Sequence, residues 1–92
     1  MKKRIECYVS GRVQMVMYRD FAMRKATTLG IVGTVRNLSD GRVHVVAEGE
    51  EEQLTIYIEK LKRGSVLAHV EHVTLSWHDA VGAFTKFSIL YK

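Results

Sequence analysis

Arg19 and Asn37 are the two side chains of this sequence that, brought together, could act on a phosphorylated compound. The stretch Gly11-Arg12-Val13-Gln14-Met15-Val16-Met17-Tyr18-Arg19 follows an alternating apolar segment, Ile5, Cys7 and Val9. It precedes a helical pattern, Tyr18, Phe21/Ala22, Lys25/Ala26 and Leu29. It therefore bridges a strand end and a helix start. The first amides of a helix have no intrahelical acceptor and lie at the positive end of its dipole, so such a junction is a ready anion site. Arg19 adds a planar fork of donors matched to two phosphate oxygens. The amides of residues 14–18 could surround the other oxygens as a nest. The competing reading is a plain connection with Arg12 and Arg19 solvated. Asn37 falls, on a period of two, on the same strand face as Val35, which belongs in the core. A buried amide needs partners or water. Asn37 is thus either a satisfied structural asparagine or an amide aimed at a ligand. Neither Arg19 nor Asn37 can act as an acid or base near neutral pH. If the pair does chemistry, the leaving group must need no proton. A carboxyl-phosphate anhydride qualifies, because it expels a carboxylate whose conjugate acid has a pKa of about 4–5. A phosphate ester would expel an alkoxide and would require an acid or a metal.

Other chemistries find less support. There is no P-loop lysine motif and no Gly-x-Gly-x-x-Gly. His69 and His72 should point to opposite faces of a strand, which is poor metal geometry, and all four histidines read as surface residues. Glu50, Glu51 and Glu52 point in different directions on a helix and read as a solvated first turn. No metal or other cofactor is expected. Cys7 reads as a small core hydrophobe with no neighbour to activate it. A net charge of +4 favours anionic partners, a small phosphate compound or nucleic acid alike. Single-stranded RNA is the weaker of these, because base stacking needs aromatics on the central strands. Only Tyr8 stands on the outward parity of the first strand, and residues 42–48 offer none. A lone cysteine suits a reducing, cytoplasmic setting. The basic start, Met1 to Arg4, is followed by no apolar run of signal-peptide length, and no stretch is long enough to span a bilayer. No repeat, proline or linker divides the chain, so residues 1–92 read as a single domain.

The elements that must position these groups follow from periodicity. Residues 4–10 alternate as a strand, and 19–29 form a helix stopped by Gly30. Residues 32–38 and 42–48 are strands joined by Asp40-Gly41, the signal for a two-residue type I′ turn. A second helix opens at Glu50–Glu52, carries Leu54, Tyr57/Ile58 and Leu61 on its apolar face, and closes with Lys60, Lys62 and Arg63 before Gly64. Strands at 70–77 and 84–91 complete the order β-α-β-β-α-β plus one strand. The class is α+β: a ferredoxin-like split βαβ sandwich with a mainly antiparallel sheet and two helices on one face. That arrangement serves many functions, so the fold alone does not choose among them.

The spelling of the junction goes further. Gly11-Arg12-Val13-Gln14, Val16, Tyr18 and Arg19 resemble the acylphosphatase signature, Gly-Arg-Val-Gln-Gly-Val-Gly-(Phe/Tyr)-Arg. Val35-Arg36-Asn37-Leu38-Ser39-Asp40-Gly41, with Gly33 ahead of it, is similar to that family's second signature. The resemblance runs on to Phe87–Tyr91. It implies a monomeric enzyme that hydrolyses an acyl phosphate to carboxylate and phosphate without metal. Arg19 and the loop amides of Gln14, Met15, Val16, Met17 and Tyr18 would hold the phosphoryl group. Asn37 would position the attacking water. Positioning and electrostatic stabilisation would then be the whole of catalysis. A non-catalytic phosphate-binding module is the alternative. Two departures stand out: Met15 and Met17 occupy usual glycine positions. A left-handed Met15 would carry strain of about 1–2 kcal/mol. Its side chain could also crowd the anion and slow the enzyme. Met17 occupies the looser of the two glycine positions.

Overall fold

Alternation along each strand sorts this chain into a wet face and a dry face. In the computed structural model, which describes residues 1–91, seven elements are arranged in order. They are β1 (Lys2–Arg12), α1 (Tyr18–Thr28), β2 (Val32–Asn37), β3 (Val43–Glu50), α2 (Glu51–Arg63), β4 (His69–Asp79) and β5 (Phe87–Leu90). One five-stranded sheet runs β4-β1-β3-β2-β5. Its pairings are antiparallel except for β2 with β5, which run parallel. Ile5, Cys7 and Val9 of β1 meet Val43, Val45 and Ala47 of β3 on the dry face, all fully buried. Leu54, Tyr57, Ile58 and Leu61 of α2 and Phe21, Ala22 and Ala26 of α1 cover them. The expected ferredoxin-like sandwich is what forms.

The helices are laced to each other as well as packed. The Tyr18 hydroxyl donates to the Leu61 carbonyl at 2.7 Å, and the Tyr57 hydroxyl to the Ala22 carbonyl at 2.9 Å. Both phenols are buried, and that burial raises their pKa above the ordinary range. Burial likewise pushes the Cys7 thiol up to about 12, with the charge of Glu6 adding to it. Cys7 is therefore the inert core residue its position suggested.

Three local features depart from the sequence-based reading. The β2–β3 connection is a three-residue loop, not a two-residue type I′ turn. The Leu38 amide donates to the Arg42 carbonyl at 2.8 Å and the Gly41 amide to the Leu38 carbonyl at 3.2 Å. Gly41 takes φ +95° between Asp40 and Arg42, as three-residue hairpins require at their third position. The last strand starts at Phe87, later than residue 84: residues 85 and 86 form a bend, and pairing with β2 begins at Gly33 opposite Phe87. Val81 and Gly82 donate to the Glu48 carboxylate at 2.9 and 3.0 Å. Lastly, His44 is not a free surface residue: it faces the open side of the sheet, but its side chain is only 12% exposed. Its ring stacks on Tyr8 with centroids 4.7 Å apart, and Nε2 lies 2.7 Å from Glu6 Oε2. That hydrogen bond holds the Glu6 carboxyl below the usual carboxylate range.

The end of β1 is irregular where the strand gives way to the loop. Pairing with β4 shifts register between Ser10 and Gly11. Gly11 has φ +123°, and a Cβ there would lie 2.2 Å from the His69 carbonyl oxygen. Only glycine fits that bulge. Beyond it Val13 drops into the core, as does Tyr18 at the start of α1. The four residues between are therefore held at both ends.

Candidate functional site

Residues 14–17 form a loop whose backbone alternates in hand. Met15 has φ +61° and Met17 φ +62°, the positive-φ residues outside glycine among the described residues. Alternating hands turn successive amides inward, which makes a concavity for an anion. Among the described residues no backbone carbonyl accepts from the amides of residues 14–17. The loop then feeds the N-terminus of α1. Met17 is the N-cap and offers no side-chain cap. The Phe21 amide makes the first helical bond, to the Met17 carbonyl at 3.1 Å. The amides of Tyr18, Arg19 and Asp20 consequently have no acceptor within the helix. An uncapped, dipole-positive helix start joined to a nest is a strong local preference for negative charge.

Both methionines are left-handed, so position 17 is as demanding as position 15. At about 1–2 kcal/mol each, the pair stores roughly 2–4 kcal/mol of backbone strain. Strain of this kind persists where surrounding contacts over-determine the backbone. Here those contacts are visible. Val13 and Tyr18 are buried, and Val16 packs against the core. Gln14 turns its side chain away from the nest. Its Nε2 donates to the carbonyls of Leu38 at 2.8 Å and Arg42 at 2.9 Å, which ties the loop to the β2–β3 hairpin. What Gln14 has left to offer an anion is its backbone N–H. Met15 is 98% exposed and Met17 69% exposed, so both side chains stand clear of the protein.

Arg19 lies across the end of β5. Its Nη1 donates to the Leu90 carbonyl at 3.5 Å, and its guanidinium sits 5.0 Å from the centre of the Tyr91 ring. The hydrogen bond is long and the ring contact is partly solvated, so both are easily exchanged for a doubly charged oxyanion. Asn37 ends β2. The parallel pairing aligns Arg36 with Leu90, which brings Asn37 and Arg19 to the same end of the sheet. The Asn37 Oδ1 is buried and has no hydrogen-bond partner among the described residues. Leaving a buried acceptor unpaired costs about 1–3 kcal/mol, so such an atom calls for a water or a ligand.

Sequence reasoning missed the contribution of β5. Ile89, Leu90 and Tyr91 read only as strand residues, yet Ile89 and Tyr91 line one side of the hollow beside Arg19. The signal lay in the topology: a split βαβ core that adds a last strand beside β2 must bring its C-terminal end to Asn37. Asp20 also borders the hollow, with its carboxylate engaged by Arg24 Nε at 2.8 Å. Among the described residues no three His, Cys, Asp or Glu side chains group as metal ligands. Among the described residues, too, no helix is long and apolar enough to cross a membrane.

Comparison with known proteins adds identity to geometry. The family model described as Acylphosphatase matches residues 5–89. The acylphosphatase of Thermus thermophilus is 49% identical over 79 residues, spanning 86% of this chain and 90% of its own. That of Methylococcus capsulatus is 46% identical over 88 residues, 96% of each chain. The crystal structure of acylphosphatase from Bacillus subtilis superposes with a TM-score of 0.93 at 34% identity, covering 97% of this chain and 99% of that one. A match that spans nearly the whole chain, and includes both the loop and the strand bearing Asn37, places this chain in the acylphosphatase family.

Proposed function

We propose that the chain hydrolyses carboxyl-phosphate anhydrides by holding the phosphoryl group between Arg19 and the amides of residues 14–18, while Asn37 orients the attacking water. The observation that carries this reading is the unpartnered, buried Asn37 Oδ1 at the sheet end that Arg19 also reaches. A water donating one proton to Oδ1 has its lone pair free to attack phosphorus. In-line attack breaks the bond between phosphorus and the acyl oxygen, and the acyl group leaves as carboxylate. The proton shed by the water ends on the phosphate product. No acid is needed, because the leaving carboxylate is a weak base. Fixing the reactants in this geometry can supply about 7–11 kcal/mol of the barrier. The nest, the helix start and Arg19 add stabilisation where charge develops on the phosphoryl oxygens.

The same reading makes the enzyme independent of metals and takes the protein as a monomer working on a small acyl phosphate in a reducing cytoplasm. Its lone cysteine is buried in the core, which suits that setting. RNA is a poor fit to the open sheet face. The outward rings there, Tyr8 and His44, stack on each other and are tied to the acidic Glu6. The test is release of phosphate from acetyl phosphate, with and without excess chelator, beside a titration of inorganic phosphate. Turnover unaffected by chelator is expected. Phosphate binding without turnover would make the domain a phosphate-binding module instead. Activity that returns only with added Mg²⁺ or Zn²⁺ would overturn the mechanism.

A further inference from the structure

Beside Arg19 lies an open slot of about 450 Å³, lined chiefly by Val13, Met15, Met17, Ile89 and Tyr91. Three of these are large apolar side chains left in solvent: Met15 at 98% exposure, Met17 at 69% and Tyr91 at 79%. Scattered apolar residues on a surface need no explanation, but a cluster around a charged site does. The two methionines are also expensive where they stand, since each holds a left-handed backbone that glycine would adopt freely. We infer that this slot receives the acyl group, and that Met15, Met17 and Tyr91 select acyl phosphates whose acyl portion is apolar and, best of all, aromatic.

The inference rests on the reading of Arg19 and the loop amides as the phosphoryl site. A phosphoryl group held there must project its acyl substituent outward, past Met15 and Met17, two of the residues whose amides hold it. Methionine suits such a rim because its unbranched thioether adapts its shape and makes favourable contacts with aromatic rings. Tyr91 offers a ring face on the other side. The slot contains a carboxylate, Asp20, already paired with Arg24. An acyl group bearing a second carboxylate would meet that charge and would leave the apolar rim unused.

The test compares benzoyl with acetyl, in two forms. Affinities are measured for benzoylphosphonate and acetylphosphonate, which cannot be hydrolysed, and kcat/KM for benzoyl phosphate and acetyl phosphate. The wild-type protein is expected to favour the benzoyl compound by about tenfold in affinity, the scale of a modest apolar contact. The Met15→Ala/Met17→Ala double variant keeps a Cβ at both left-handed positions, so backbone strain is unchanged while the rim is removed. Its benzoyl-to-acetyl ratio is expected to fall to about threefold or less in both measurements. Comparing ratios between variant and wild type cancels the different intrinsic reactivities of the two acyl phosphates. Tyr91→Ser is the second variant and should lower the ratio in the same direction. Equal affinity for the two phosphonates in the wild-type protein would overturn the inference, as would a ratio unchanged in both variants. A benzoyl preference in affinity with no turnover of either acyl phosphate would leave the slot standing and refute the hydrolysis proposed above.

Discussion

Met15→Gly separates where the loop's strain resides. Met15 holds φ +61° because the buried Val13 and Tyr18, the packed Val16 and the tethered Gln14 fix the loop from within the protein, which assigns its strain of about 1–2 kcal/mol to the free protein. Glycine removes that strain but gains unfolded-state entropy, which costs about 0.4–1 kcal/mol. The net is a stabilisation of roughly 0–1.6 kcal/mol, centred near 0.8. For a domain of this size that centre corresponds to a rise in Tm of about 3–6 °C. Strain present equally in the free and bound states cancels from the difference between them. Turnover of acetyl phosphate, whose small acyl group makes little use of the rim, should therefore stay within about twofold. Thermal unfolding followed by circular dichroism and a phosphate-release assay read the two quantities independently. A loss of about 0.4–1 kcal/mol would mean that Met15 has a negative φ in solution, and the strain argument would fail. A 5- to 30-fold rise in kcat/KM at unchanged Tm would also refute it, by showing that the free loop relaxes and incurs the strain only on binding, at about 1–2 kcal/mol.

Other perturbations address the site and its frame. Arg19→Lys keeps the charge but loses the fork, so phosphate affinity and turnover should fall by about tenfold or more with Tm nearly unchanged; wild-type turnover would remove Arg19 from the site. Asn37→Ala should cut turnover by about 10²–10³ while the Kd for inorganic phosphate moves less than threefold; a parallel loss of both would assign Asn37 to substrate contact. Glu48 governs the acid response. Burial pushes its carboxyl up, but the amides of Val81 and Gly82 and the guanidinium of Arg4 outweigh that, and the net is a lowered pKa. A lowered folded-state value means that Glu48 contributes fully above its ordinary 4.5 and loses that contribution as pH falls through the folded value. Glu48→Gln should thus lower Tm near neutral pH and flatten the fall in Tm below about 4.5, and an unchanged pH profile would exclude this carboxylate as the source.

How much of this could be read in advance depended on how local each feature is. Ile5-Cys7-Val9 and Val43-Val45-Ala47 announce their strands through a period of two, and Leu54-Tyr57-Ile58-Leu61 announces α2 through a period of three to four. Arg19 and Asn37 stood out through two short spelled blocks. Asp40-Gly41 marked a turn correctly but not its length, because the same pair fits loops of two and three residues. The hold of Glu48 on the Val81 and Gly82 amides, across more than thirty residues, is set by the fold and not by any local spelling. The partial burial of His44 depends on Tyr8 and Glu6 from a neighbouring strand. The hand of Met17 was illegible for another reason: side-chain preference argues against it, and tertiary contacts impose it.

The Gln14 side chain has a consequence for the order in which this molecule assembles. Its two hydrogen bonds reach 24 and 28 residues along the chain, to carbonyls that face each other only once the hairpin has closed. The loop can thus acquire its final shape only after β2 has paired with β3 and β3 with β1. Long-range closures of this kind come late, because chain entropy must be given up before the contact rewards it. Helix content can recover while the nest is still unformed. The catalytic rate is therefore a stricter gauge of the native state than any spectroscopic measure of its helices.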